Sequence, residues 1–189
     1  MKNENLKLAG KKCFLRYPTI EDCAEFTANA KQSAKFHRNL VSPPKDKADF
    51  EEFLTRNEGE ANECLLICRK FDAAIVGAVN LSQIFRRVFQ NCYLGYYLFE
   101  KFTGKSLMTE AVEIVLRHAF QNLKLHRVEA NVQPENTPSI AVLQRCGFTK
   151  EGFSRKYLKI GGRWRDHERF AIIREDWKYE KRLQNPDDN

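Results

Sequence analysis

The 189-residue sequence predicts a single α+β domain spanning residues 1–189. Three observations carry that prediction. Residues 64–99 read as consecutive short strands with tight turns between them. The stretch from Met108 to Leu123 repeats apolar residues at helical spacing and is followed within four residues by another strand-like run. Two long segments near the C-terminus meet at Gly161 and Gly162, a typical hairpin pair. Hairpins and meanders are antiparallel, whereas strand, helix and strand in succession form a right-handed crossover with parallel strands. Together they predict a mixed, mostly antiparallel sheet of about seven strands flanked by helices.

The elements follow in order. Cys13 to Tyr17 alternates apolar and polar residues as a half-buried strand does, and Pro18 closes it. Thr19, with Asp22 three residues on, opens a capping box, after which Ile20, Cys23, Ala24, Phe26 and Thr27 recur at helical spacing. Beyond Pro43 and Pro44, the stripe Phe50, Phe53 and Leu54 among charges describes a helix lying on a core, over a cleft or a sheet edge. The strands Cys64 to Lys70, Ala74 to Ile84 and Asn91 to Phe99 make the meander, the last of them aromatic. In the helix from Met108 to Leu123, the residues Met108, Ala111, Val112, Val115, Leu116, Ala119 and Phe120 form the core stripe. A strand Arg127 to Val132, a turn Pro134 to Pro138 and a short helix Ser139 to Arg145, stopped by Gly147, come next. Strands Thr149 to Ile160 and Arg163 to Ile173 complete the sheet, and residues 1–10 and 184–189 are expected to be flexible.

Composition excludes several function classes. Hydrophobic residues make up 42% and charged residues 30%, which suits a packed core and argues against a disordered chain. No apolar run approaches the ~20 residues needed to span a bilayer, and the first ten residues lack the apolar core of a secretory leader, so a cytoplasmic protein with no membrane partner is expected. The six cysteines form no CxxC pair and no histidine stands at zinc-ligand spacing from them, which predicts free thiols and no metal. The net charge of +7 is spread along the chain and interleaved with acidic residues, without an RNA-binding aromatic motif, so nucleic acid is not expected as a substrate.

The most informative stretch is Gly104, Lys105 and Ser106, where the aromatic strand hands over to the amphipathic helix. A glycine turn feeding a helix N-terminus aims unpaired backbone N–H groups and the positive end of the helix dipole at one anion. The triplet is not a Walker A loop, because the position five residues before Gly104 is Phe99 rather than glycine. Downstream come Asn136, Ser139 and the pair Gly147-Phe148.

These pieces, in this order and spacing, resemble the GNAT superfamily of acetyl-CoA-dependent N-acetyltransferases. The phosphate loop of that superfamily follows Gln/Arg-x-x-Gly-x-Gly/Ala, against Lys101-Phe102-Thr103-Gly104-Lys105-Ser106 here, which departs at Lys101 and Ser106. Within the superfamily the chain is most similar to the RimJ and RimL type, which acetylate N-terminal amines of ribosomal proteins. The stretches Gly104 to Ala111, His126-Arg127-Val128, Arg145 to Phe148 with Glu151-Gly152, and Gly162 to His167 carry the likeness, which extends from Leu15 to Trp177.

The resemblance implies a GNAT fold and acetyl-CoA as cofactor. Backbone groups near Leu98 and Phe99 are expected to pair with the pantetheine arm, and the loop Lys101 to Leu107 to hold the pyrophosphate, with Asn136 as a further contact. A neutral amine then attacks the thioester directly, with a backbone N–H near Leu98 polarising its oxygen. The tyrosine that many members use to protonate the thiolate is replaced by Leu143, and Ser139 matches the serine given that role in the RimL type. Ser139 following Pro138 also reads as a simple helix cap. The glutamate expected as base falls on Leu158, which leaves Glu100, Asp166, His167 and Glu168, or solvent, to take the amine's proton. The acceptor is read as a protein N-terminus, that of a ribosomal protein included, or a small amine, and a non-catalytic acetyl-CoA-binding module is a third reading. The protein is expected to be a monomer or a homodimer.

Overall fold

The computed structural model describes residues 6–57 and 59–177. Eight strands form one sheet: β1 (Lys7–Ala9), β2 (Cys13–Arg16), β3 (Glu63–Arg69), β4 (Ile75–Phe85), β5 (Asn91–Leu98), β6 (Arg127–Val132), β7 (Thr149–Ile160) and β8 (Arg163–Ile173). They lie in the order β1-β2-β3-β4-β5-β6-β8-β7, and every pairing is antiparallel except β5 with β6. The sheet is mixed and mostly antiparallel, as expected, with one strand beyond the seven read from the sequence. The addition is β1, which pairs Lys7 with Arg16 and Ala9 with Phe14, so part of the N-terminal stretch expected to be flexible is tied into the sheet edge. The tail 184–189 lies outside the described residues.

Four α-helices flank the sheet: α1 (Cys23–Gln32), α2 (Lys47–Thr55), α3 (Leu107–Arg117) and α4 (Thr137–Arg145). The Thr19 capping box forms at the head of a single 3-10 turn, Ile20–Asp22, that leads into α1. The Asp22 carboxylate accepts the Thr19 N–H at 2.8 Å and receives both arms of the Arg16 guanidinium at 2.6 and 2.7 Å. Phe26 of α1 centres an aromatic cluster, 5.2 Å from Phe50 of α2 and 5.2 Å edge-on to Phe99 at the end of β5. The stripe Phe50 and Phe53 is therefore spent on packing α2 over α1.

The helix predicted over 108–123 is α-helical only to Arg117, and His118–Asn122 widen into a π-turn in which the Leu123 N–H reaches back to the His118 carbonyl at 3.0 Å. Beside it, His118 Nε2 meets Glu63 Oε2 at 2.8 Å, both residues buried. The amphipathic face of α3 buries Leu107, Met108, Ala111, Val112, Val115 and Leu116 against the sheet. This packing fixes the helix N-terminus at the end of β5, which is the position the site depends on.

None of the six cysteines forms a disulfide; five are buried and Cys23 is half-buried. No helix among the described residues is long and apolar enough to cross a membrane.

Candidate active site

Strands β5 and β6 pair only at Asn91 with Arg127, Cys92 with Val128 and Tyr93 with Glu129. Beyond Tyr93 each follows its other neighbour, β4 or β8, and a V-shaped gap opens between them. A cleft of about 370 Å³ fills the mouth of that gap, walled by the end of β5, the loop into α3, the start of α4 and the segment Phe36 to Val41.

The backbone of β5 presents alternate residues to the gap. Phe99 N–H donates to the Val76 carbonyl at 2.9 Å, and Gly77 stands opposite Leu98. Opposed residues in an antiparallel pair alternate between bonded and non-bonded, so the Leu98 peptide groups turn away from β4 and into the gap. The free backbone group expected near Leu98 and Phe99 is accordingly that of Leu98. Phe99's N–H is already used and its ring is fully buried. Gly77 permits this geometry: a Cβ there would meet the Tyr97 carbonyl oxygen at 2.1 Å and Leu98 Cα at 2.9 Å.

The loop after β5 begins with a 3-10 turn, Glu100–Phe102, that buries the Phe102 ring. Gly104 follows with φ +74° and Ser106 with φ +58°, both in the left-handed region. Ser106 is the N-cap of α3, yet its side chain caps nothing, so the first N–H groups of the helix keep their capacity for an anion. A Cβ on Gly104 would find no protein atom within 4 Å. The glycine is thus demanded by its dihedral angle, and the space beside it is open to a ligand. A pyrophosphate fits this loop: glycine turn, uncapped helix N-terminus and clearance coincide. Thr103, Gly104, Ser106 and Leu107 all border the cleft. Lys101 is exposed, with its ammonium 5.0 Å over the Phe102 ring, and Lys105 faces the other side of the loop.

On the facing wall the N-cap of α4 is Asn136, whose side-chain oxygen accepts the Ser139 N–H at 3.4 Å. Ser139 is the third residue of the helix rather than its cap, so capping does not occupy its hydroxyl. Instead, Ser139 Oγ lies 2.8 Å from Tyr96 Oη, which is also 3.1 Å from the Ser139 carbonyl oxygen. Burial pushes the Tyr96 phenol above its ordinary range, which keeps it protonated. Tyr96 was not legible as a site residue, because in an alternating aromatic strand it reads as core.

The segment opposite contributes a second group that the sequence concealed. His37 is buried, and its Nε2 lies 2.8 Å from the Leu98 carbonyl oxygen. A carbonyl only accepts, so Nε2 carries the proton, and Nδ1 is left buried without a partner. Burial lowers the pKa of this imidazole, in keeping with the neutral tautomer. The bond pins the Leu98 peptide from the far side of the cleft. His37→Phe keeps the ring against Tyr97 and Phe99 but strands a buried carbonyl, and it is expected to cost about 1–3 kcal/mol. His37→Gln, which retains an N–H donor, is expected to cost less; chemical denaturation of the two variants checks the order.

The remaining expected acid–base residues lie elsewhere. Glu100 is exposed on the 3-10 turn, outside the cleft lining. Asp166 Oδ1 accepts the Lys156 N–H at 2.7 Å, bracing the bulge in β7. His167 is buried, with Nδ1 3.1 Å from the Arg165 carbonyl oxygen and its ring against Tyr157. Glu168 is paired with Lys150 at 2.5 Å. Leu143 is fully buried under α4 and Leu158 is exposed on β7. Among the described residues no three His, Cys, Asp or Glu side chains assemble as a metal-binding set.

The sequence matches a family model described as an acetyltransferase (GNAT) domain over residues 12–149. The chain belongs to the GNAT acetyltransferase family. It is 48% identical over 105 residues to a probable N-acetyltransferase, YjcK, of Bacillus subtilis, covering 56% of this chain and 58% of that one. It is 43% identical over 103 residues to the [ribosomal protein uS5]-alanine N-acetyltransferase of Escherichia coli, covering 54% and 53%. The matches thus span little more than half the length of these curated relatives. Among solved structures, RimJ of Mycobacterium smegmatis in complex with CoA-disulfide superposes with a TM-score of 0.82 at 25% identity, covering 92% of this chain and 89% of that one. The GNAT architecture and the RimJ likeness expected from the sequence are both met. The end of β5, the Gly104 loop and the start of α4 converge on one cleft, and the last hairpin stands outside its lining.

Proposed function

We propose that the protein is an acetyl-CoA-dependent N-acetyltransferase acting on the N-terminal amine of a protein, of the ribosomal-protein kind, in the cytoplasm. The observation that carries this reading is the convergence of the inward-facing Leu98 peptide, the uncapped N-terminus of α3 and the Tyr96–Ser139 hydroxyl pair on one cleft. Acetyl-CoA, when bound, supplies the acetyl group as a thioester. The loop from Thr103 to Leu107 holds its pyrophosphate by backbone N–H groups and helix dipole, with Asn136 on the facing wall. The gap-facing edge of β5 would receive the pantetheine arm, and the Leu98 N–H would lie ready to stabilise negative charge on the acetyl oxygen, the Leu98 carbonyl being held by His37.

With acetyl-CoA bound, Ser139 would be the residue to deliver a proton to the departing thiolate. Tyr96 Oη, 2.8 Å away, holds the serine hydroxyl in place, and the proton that Ser139 would give up is restored from solvent through the open cleft. His37 holds the Leu98 carbonyl and thereby helps to fix the backbone at the end of β5. The cleft lining contains no carboxylate, so the incoming amine enters neutral, having lost its proton to solvent rather than to Glu100, Asp166, His167 or Glu168.

The same absence of carboxylates bears on the acceptor. A polyamine carries further positive charges that need anionic partners, whereas the cleft's one charged residue is Arg145, and Phe36, Leu40, Val41 and Val142 make it apolar. A small uncharged N-terminal residue suits that lining. Incubation with acetyl-CoA and a panel of peptides and small amines, following thiol release, is expected to show turnover on peptides beginning with Ala or Ser. Preference for a polyamine or a drug would sink the acceptor reading, and tight acetyl-CoA binding with no turnover would favour a binding module.

A further inference from the structure

Strands β5 and β6 part beyond Tyr93 and Glu129, and the segment Phe36 to Val41 is fastened to both arms of the gap they leave. On the β5 side, His37 Nε2 donates to the Leu98 carbonyl at 2.8 Å. On the β6 side, Gln133 Nε2 donates to the Asn39 carbonyl at 2.7 Å. Gln133 directly follows Val132, the last residue of β6, and is buried. We propose that Gln133 is a positioning residue for acceptor selection: it holds the Leu40 and Val41 wall of the cleft against the β6 arm and so limits the size of the acceptor's first side chain. The assignment rests on the acceptor reading above.

The need for a second fastening follows from how the segment is built. Its own bonds, from the Leu40 and Val41 N–H groups to the His37 carbonyl at 2.9 and 3.1 Å, are internal. They set its curl but not its distance from the sheet. Held to β5 at His37 alone, the segment could pivot about that residue, and Leu40 and Val41 would move with it. The Gln133 bond grips Asn39, immediately before those two side chains, and removes that freedom. It joins residues 94 apart in sequence, so it is a tertiary tie rather than part of a local turn. Burying a glutamine is costly unless its amide finds a partner, and an apolar side chain would fill the same space without that demand.

The wall so held is the one left for the acceptor. The end of β5, the Gly104 loop and the start of α4 are taken up, in the reading above, by acetyl-CoA and by Ser139. What remains of the lining is Phe36, His37, Leu40 and Val41, three apolar side chains and a histidine already bonded to Leu98. Such a wall discriminates by size, since an apolar surface offers an uncharged side chain only contact or clash. Gln133 also divides its roles between side chain and main chain. Its carbonyl accepts the Asn136 N–H at 2.9 Å in the turn that opens α4. Changing the side chain therefore releases the acceptor wall while leaving the main-chain bond that starts the helix carrying Ser139.

The test uses Gln133→Met in the full chain, which conserves volume and removes the donor. Asn39 is exposed, so its carbonyl can turn to water and the fold should survive. Hydrogen exchange read by mass spectrometry reports the tie without any substrate: the amides of Leu40 and Val41 are expected to exchange about 3- to 10-fold faster in the variant, the equivalent of one net hydrogen bond. Turnover of two peptides that differ only in Ala or Leu as first residue reports selection. The ratio of their kcat/KM values, Ala over Leu, is expected to fall about 10-fold, with the acetyl-CoA KM at its wild-type value. Gln133→Asn, whose amide sits one methylene short of the carbonyl, should shift both readouts the same way by less, and it carries the test if the methionine variant does not fold. Unchanged exchange, an unchanged ratio, or a ratio that falls only together with acetyl-CoA affinity would overturn the proposal. No turnover of either peptide by the wild type would instead overturn the acceptor reading on which it rests.

Discussion

Ser139→Ala is expected to lower kcat by about 10²-fold, at the lower end of what a positioned general acid contributes. The geometry makes that hydroxyl hard to replace. Leu143 fills the place where many GNAT enzymes have a tyrosine, and it is fully buried, so no second donor stands on α4 to take over. Tyr96 is held to Ser139 rather than to the cleft centre, 2.8 Å from its Oγ and 3.1 Å from its carbonyl oxygen. Tyr96→Phe should therefore reduce kcat less, by about 10-fold, because it removes the group that orients the serine but leaves the serine itself. In the double variant the losses should not add, since both act through one proton path. The acetyl-CoA KM separates this role from a structural one: it should remain near the wild-type value in Ser139→Ala, because the phosphate loop is untouched. The rise of rate with pH should also persist, since it follows the acceptor's α-amino group, near pH 7.7–8.0, and no enzyme base. A Ser139→Ala protein with wild-type kcat would remove the serine from the mechanism.

Where local chemistry decides an element, the sequence was sufficient to place it. The final hairpin runs Thr149–Ile160 and Arg163–Ile173, as read, because Gly161 and Gly162 adopt φ of +56° and +78° and only glycine does that cheaply. The Gly104 turn was legible for the same reason. Ser106 also occupies the left-handed region, at φ +58°, which accounts for the glycine the superfamily pattern allows there. What stayed hidden depends on partners far apart in sequence. His37 stands alone in an aperiodic stretch, and its partner Leu98 is 61 residues away. Tyr96 alternates like a core residue, and only the packing of α4, 43 residues on, turns its hydroxyl into part of the site. The candidate bases of the last hairpin lie apart from the cleft for a complementary reason: Asp166 and Glu168 have attractive chemistry, but sheet register places them at a bulge and in an ion pair. β1 escaped notice because three residues carry too little periodicity to register.

Gly104→Glu is expected to weaken acetyl-CoA binding by about 10²-fold or more, through three effects. The backbone at φ +74° charges any side chain about 1–2 kcal/mol for the left-handed conformation. That portion is shared with Gly104→Ala, which serves as its control. The second effect is steric: the Cβ and carboxylate occupy the clearance that the protein leaves empty, which is where a phosphate approaches the N–H groups. The third is electrostatic, since a carboxylate at the head of α3 claims the helix dipole and the uncapped N–H groups, repelling the diphosphate it replaces. Because a Cβ at position 104 meets no protein atom within 4 Å, the fold should tolerate the substitution, and the melting temperature should fall only by the backbone strain that Gly104→Ala also shows. Calorimetric titration with acetyl-CoA checks the affinity, and raised salt should narrow the gap between the two variants by screening the repulsion. Unchanged affinity in Gly104→Glu would mean that the pyrophosphate does not lie on this loop.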